Sequence, residues 1–126
     1  MDAVPVTGQR VLVVDDHAGF RATARRWLEA EGWIVVGEAC DGASALLAVA
    51  SLRPDVVLLD IGLPDIDGFA VADRLAGDGA PHVVLVSSRD PGAYAGRIAT
   101  STAIGFIAKE DLDPDGLRAV LASVRH

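Results

Sequence analysis

The stretch Asp55 to Gly68, DVVLLDIGLPDIDG, constrains this chain more than any other. Four consecutive large aliphatics, Val56 to Leu59, fit a strand covered on both faces, because a half-exposed strand alternates apolar with polar side chains. The run stops at Asp60. Gly62, Pro64 and Gly68 follow, so the chain turns at the end of that strand before entering a helix. Asp60 is thereby offered at a strand's C-terminal edge, where open parallel α/β sheets bind their ligands. An aspartate in such a place can also be a plain turn residue bonded to its own backbone. What decides between the two is the company that other segments bring to the same edge.

Similar apolar runs recur along the chain. Arg10–Val14, Trp33–Val36, His82–Val86 and Ala103–Ile107 read as four further short strands. Between them, Phe20, Ala24, Trp27 and Leu28 share one face of a helix ending near Gly32. Asp41 can cap a helix with Ala43, Leu46, Leu47 and Ala50 inward, and Gly68, Val71, Ala72 and Leu75 mark a third. The segment from Pro91 to Ser101 is the weakest helix, since Gly92, Gly96 and Thr100 to Thr102 lower helix propensity, and it is expected to be short or mobile. Asp113 and Pro114 open a last helix with Leu117, Val120, Leu121 and Val124 inward. Five strands alternating with five helices predict a parallel sheet covered on both faces, a doubly wound (βα)5 fold.

The chain has 126 residues, enough for one domain with a real core and no second folded unit. Residues 1–8 read as a flexible leader and 9–126 as the domain. Eleven Lys and Arg against 18 Asp and Glu give a net charge of −7, which argues against direct binding of nucleic acid. No apolar run has the length of a membrane span and the N-terminus lacks a signal-peptide pattern, so a cytoplasmic location is expected. Cys40, the single cysteine, can form no internal disulfide.

Right-handed crossovers place the C-terminal ends of all five strands on one edge. Asp15 and Asp16 follow the first strand, Asp60 the third, Ser87 and Ser88 the fourth and Lys109 the fifth. Their order and spacing, with LP and DG after Asp60, VVLVSS at 83–88 and GFIAK at 105–109, make residues 9–126 resemble a receiver domain of a two-component response regulator. The resemblance implies a flavodoxin-like sheet in the order 2-1-3-4-5, which sets the first and third strands side by side and brings Asp15 and Asp16 beside Asp60.

Two carboxylates about 4 Å apart repel by about 4 kcal/mol at an effective dielectric of 20, so three of them call for a compensating cation. With hard oxygen donors and no His/Cys cluster evident, Mg2+ is a better candidate than Zn2+. The resemblance makes Asp16, Asp60 and the carbonyl of Gly62 direct ligands, with Asp15 acting through water. It makes Asp60 the phosphoacceptor that takes a phosphoryl group from a sensor histidine kinase. It gives Lys109 and Ser87 the phosphoryl oxygens, with a backbone N–H near Ser88 as a further donor. Ser87 and Phe106 would form the switch acting on an output face of the fourth helix, fifth strand and fifth helix, used for an effector domain or for homodimerisation. The protein would then be a phosphoacceptor signalling domain, catalysing only its own phosphorylation and slow dephosphorylation.

Some residues depart from the common pattern. Phe106 stands where tyrosine is common, and Glu110 follows Lys109 where proline is common, which puts the associated cis peptide in doubt. GEACDG at 37–42 resembles the NarL/FixJ-like group, whose receivers usually precede a DNA-binding domain, so control of transcription through an effector domain outside this chain is expected. Gly62 has no side chain to shield an acyl phosphate. His17 reads as a helix-start residue at the mouth of the site, and Trp27 and Trp33 as packing residues. Among competing classes, a haloacid-dehalogenase-type enzyme should carry a second aspartate at position 62, and a flavodoxin-like electron carrier should have a Ser/Thr/Gly-rich first loop in place of DDHAG. A phosphorylation-independent interaction receiver, standing alone or not, is expected to lack Asp16, Asp60 or Lys109, and all three are here.

Overall fold

The computed structural model describes residues 9–88 and 91–123. The expected leader, residues 1–8, and the inward-facing Val124 lie outside them. Strands β1 (Arg10–Val14), β2 (Ile34–Ala39), β3 (Val56–Asp60), β4 (His82–Ser87) and β5 (Gly105–Ala108) form one sheet in the order β2-β1-β3-β4-β5, each neighbouring pair parallel. Helices α1 (Ala18–Ala30), α2 (Gly42–Leu52), α3 (Gly68–Leu75) and α4 (Ala95–Thr100) make the four crossovers, and α5 (Pro114–Ala122) follows the last strand. The expected fold is the observed one.

The aliphatic runs explain why the sheet is central. Because successive side chains point to opposite faces, Val11, Val13, Val56 and Leu58 pack with Leu28, Leu117 and Leu121 of α1 and α5. Leu12, Val14, Val57 and Leu59 pack with Ala45, Val71 and Ala72 of α2 and α3. β3 is buried along its whole length. Trp33 is buried edge-on to Trp27, the packing role expected of both.

Local chemistry sets the helix starts. Asp41, Asp67 and Asp113 each accept the backbone N–H three residues on, at 2.8, 2.9 and 2.7 Å, and Pro114 occupies the first turn of α5.

Three expectations are corrected. β2 does not stop at Val36 but runs to Ala39, because Leu12, Val13 and Val14 pair with Gly37, Glu38 and Ala39. The register skips Val36, so β2 carries a bulge there. α2 turns a different face inward: Gly42 and Ala45 are buried and Leu46, Val49 and Leu52 half-buried, whereas Ala43 and Ala50 are exposed and Leu47 is 73% exposed. β5 begins at Gly105 rather than Ala103 and ends at Ala108, although the Ile104 N–H already reaches the Val83 carbonyl at 2.9 Å. The Pro91–Ser101 segment is short as expected, a 3-10 turn at Pro91–Tyr94 followed by the six residues of α4, none of them buried. No cis peptide occurs among the described residues, Lys109–Glu110 included.

Candidate functional site

The candidate site side chains sit where strands end. β1 hands over to Asp15, whose N–H continues the ladder onto the Ala39 carbonyl at 3.0 Å. Asp15 is completely buried and Asp16 is exposed beside it. β3 ends on Asp60, 6% exposed, and β4 on Ser87, 3% exposed. These are the only buried polar or charged residues among those described. Ser88 is exposed at the rim. Lys109 opens a 3-10 turn directly after β5, with its ammonium 4.5 Å from the centre of the Phe20 ring.

The sheet order brings Asp15, Asp16, Asp60 and Lys109 together, as expected. One donor atom each from Asp15, Asp16, His17 and Asp60 lies within 4.8 Å of the others. Lys109 Nζ is 2.6 Å from Asp15 Oδ2 and 4.0 Å from Asp60 Oδ2. The contact with Asp15 is ionic rather than an aligned hydrogen bond, for Oδ2 accepts none. The ammonium thus rests on Asp15 and leaves Asp60 less compensated. Burial, and after it the Asp15 carboxylate, hold the Asp60 carboxyl above the ordinary aspartate range. The Gly62 N–H, at 3.2 Å from Asp60 Oδ1, and then Lys109 pull the other way.

The turn after β3 is fixed from both ends. The Gly68 N–H donates to the Ile61 carbonyl at 2.9 Å. A Cβ on Gly68 would stand 2.7 Å from the Asp60 carbonyl oxygen, so helix α3 starts against the phosphoacceptor candidate only because residue 68 has no side chain. At Gly62, by contrast, a Cβ would meet only Asp60 Oδ1, at 4.0 Å. Phe106 is half-buried on the α2/α3/α4 side of the sheet, with Tyr94 and Ile98 in the same cluster.

Two residues exceed what the sequence indicated. His17 stands at the N-cap of α1 without capping it; its Nδ1 lies 3.1 Å from Asp15 Oδ1 and 3.0 Å from Asp16 Oδ1. Asp65, in the turn after Asp60, accepts the N–H groups of Gly42 and Ala43 at 2.7 and 2.9 Å and so caps α2 from another segment. Those two bonds, Gly42 first, hold its carboxyl below the ordinary range. Neighbouring Asp residues in DDH and LPDIDG gave the only signal, and it did not name their partners.

Comparison with known proteins agrees with this arrangement. The sequence profile described as "Response regulator receiver domain" matches residues 11–122. The chain is 40% identical over 114 residues to the transcriptional regulatory protein NarL of Mycobacterium tuberculosis, covering 89% of this chain and 53% of that one. It is 37% identical over 103 residues to the transcription regulator BvgA of Bordetella pertussis, covering 81% and 49%. It therefore spans about half the length of these curated relatives. The solved signal receiver domain of M. tuberculosis NarL superposes with a TM-score of 0.82 at 38% identity, covering 93% of this chain and 96% of that one. A LuxR-family two-component response regulator from Aurantimonas superposes at 0.81 with 28% identity, covering 94% and 85%. With strand order, carboxylate cluster and profile in agreement over nearly the whole chain, the protein belongs to the response regulator receiver domain family, the signalling domains of two-component systems.

Proposed function

We propose that this receiver takes a phosphoryl group from a phosphohistidine of a sensor kinase onto Asp60 and passes the change to an effector domain that controls transcription. The observation that carries the reading is the meeting of Asp60 with Asp15, Asp16 and Lys109 from three strand ends. Relatives that are transcription regulators about twice as long support the effector domain.

An Asp60 carboxylate oxygen attacks phosphorus as the phosphoimidazole P–N bond breaks. The new bond is an acyl phosphate, and the leaving imidazole keeps the electron pair and takes a proton from solvent. Such a transfer needs positioning and charge neutralisation more than covalent help from the protein. Burial keeps Asp60 in place, and the adjoining carboxylates make its ionised form costly without a counter-charge. Three carboxylates gathered around one ammonium, which rests on Asp15, keep an excess of negative charge and offer only hard oxygen donors from the aspartates, which fits a hard divalent cation. Asp16, Asp60 and the Gly62 carbonyl would hold Mg2+, with Asp15 acting through water, and the bound ion would neutralise phosphoryl charge. Lys109 leaves Asp15 for a phosphoryl oxygen, a short move for a flexible ammonium. Ser87 donates its hydroxyl to a second oxygen and the backbone near Ser88 an N–H. Phe106 repacks into space that Ser87 leaves, altering the face of α4, β5 and α5.

Intact mass after incubation with Mg2+ and acetyl phosphate tests the reading. One hydroxylamine-sensitive phosphoryl adduct is expected on the wild type and none on Asp60→Ala. An unmodified wild type, or an adduct that persists on the variant, would overturn the assignment.

A further inference from the structure

Arg21 takes no part in the transfer just described, yet its guanidinium closes on the loop that carries Asp15 and Asp16. We propose that Arg21 is a positioning residue for that transfer, acting through the peptide between Asp15 and Asp16, and that the bulge in β2 supplies its brace by turning Glu38 toward α1. The inference rests on the phosphoacceptor reading.

The bulge decides where Glu38 points. Residues paired across parallel strands share a face of the sheet, and Val35 lies with its partner Val11 on the α1/α5 side. Strict alternation along β2 would put Gly37 on that side as well and Glu38 on the other. The skip at Val36 exchanges them. Gly37 pairs with Leu12 on the α2/α3 side, where a Cβ would stand 2.8 Å from Leu52 Cδ1 of α2. Glu38 pairs with Val13 and faces α1, and there its carboxylate accepts from Arg25 Nε at 2.9 Å and from Arg21 Nε at 3.0 Å. These bonds, that of Arg25 first, hold the Glu38 carboxyl below the ordinary range.

Arg21 then reaches inward from its brace. With Nε on Glu38, its Nη1 donates to the Asp15 carbonyl at 2.5 Å, and the side chain is only 18% exposed. The Asp15 N–H is already on the Ala39 carbonyl at 3.0 Å. Successive residues of β2 thus hold Asp15 at both ends, Ala39 directly and Glu38 through Arg21. The carbonyl so held belongs to the peptide from which Asp16 springs. Asp16 is exposed, so packing does not fix it, and the orientation of that peptide sets where its carboxylate stands. A planar guanidinium with donors in fixed directions can bridge a carboxylate and a carbonyl in this way, whereas an ammonium is a point charge on a flexible stem.

The sign of the effect separates positioning from charge. Arg21 is a cation beside a site that takes a cation, so charge alone would make its removal favour Mg2+. Loss of positioning works the other way. Acetyl-phosphate labelling over a range of Mg2+ concentrations tests this, with calorimetric Mg2+ titration as the second readout. Arg21→Met is expected to raise the half-saturating Mg2+ concentration by roughly tenfold, the low end of what a residue standing behind a metal ligand contributes. The labelling rate at saturating Mg2+ should fall less, and amide exchange at Asp15 and His17 should quicken relative to β3. Arg21→Lys keeps the charge, loses the fork, and should shift in the same direction. Arg26→Met removes an exposed charge from the same helix and should bind Mg2+ at least as tightly as the wild type.

Mg2+ affinity in Arg21→Met equal to or above the wild type would overturn the positioning role, and so would wild-type affinity in Arg21→Lys or an equal loss in Arg26→Met. None of these results touches the phosphoacceptor reading. A wild type that binds Mg2+ with the expected dependence on Arg21 and gains no phosphoryl adduct would defeat that reading, and with it the role of Arg21 in the transfer.

Discussion

The two halves of the sheet are built differently. In β1 and β3 nine of ten residues are buried, and Asp15 and Asp60 are immobilised at their ends by that packing. At the other side, β5 has four residues of which only Ile107 is buried, and α4 has none. What holds α4 is largely a set of side-chain contacts to α3. Arg97 pairs with Asp67 at 2.9 Å and stacks 4.3 Å from the Phe69 ring centre, Tyr94 meets the same ring, and Thr102 reaches Asp73 at 3.2 Å. Apolar burial at about 25 cal/mol per Å2 outweighs exposed pairs worth about 0–1 kcal/mol each. The acid cluster thus stands on the rigid half, and the expected output face on the half that rearranges at low cost.

The largest effect that would test this contrast comes from truncating equivalent aliphatics. Leu58→Ala, in the fully buried strand, should lose about 2–5 kcal/mol in urea unfolding. Ile98→Ala, half-buried on α4, should lose less than about 1 kcal/mol, the usual range for sites away from the core. Equal losses would abolish the distinction. A single added methyl sharpens it further. Gly68→Ala drives a Cβ against backbone atoms of Asp60 and Ile61, and should cost about 1–3 kcal/mol. Gly105→Ala meets the tip of Val120, a half-buried side chain on α5 that can turn aside, and should cost less in the same denaturation series.

Acidity gives opposite signs in the two halves. The folded Asp60 carboxyl is raised, so its contribution favours the folded state below the ordinary value of 3.8 and is lost as pH rises through the raised value. Asp60→Asn should therefore be more stable than the wild type at pH 7, with the difference vanishing on acidification below 3.8. Asp67 is lowered, chiefly by Arg97, so its contribution is present above 3.8 and lost as pH falls through the lower folded value. Asp67→Asn, which keeps an acceptor for the Ala70 N–H, should be less stable at pH 7 by under about 1 kcal/mol. Unfolding curves from pH 3 upward for the three proteins would show the two differences running in opposite directions. The smallest signal is in amide exchange: residues 93–100 should exchange faster than those of β3, and Arg97→Ala should speed them further. Protection there equal to the core strands would make α4 as rigid as the acid cluster's platform.

Much of this was legible in the sequence because unbroken aliphatic runs such as VVLL leave little choice but a buried parallel strand, and four of the five runs are followed by a candidate site residue. What was not legible depended on partners distant in the chain. GASALLAVASL of α2 has no charged side to set its phase, so the inward face was misread and Leu47 stands in water. Gly37 and Glu38 do not look like strand residues; pairing with β1 makes them so. His17 and Asp65 were unremarkable singly, since a histidine among carboxylates and an aspartate capping a helix 23 residues away acquire their meaning from tertiary proximity.

The bulge in β2 bears on behaviour at high concentration. Among the described residues β2 is an outer strand whose far side has no strand partner. A straight outer strand is a template on which a second chain can add its own. Here the skipped Val36 bends the ladder, and Glu38, held by Arg21 at 3.0 Å and Arg25 at 2.9 Å, sets a fixed charged cluster beside it. A neighbouring strand would have to follow the bend and displace paired charges, so the edge that most resembles a nucleus for sheet-to-sheet aggregation is the one shaped against it.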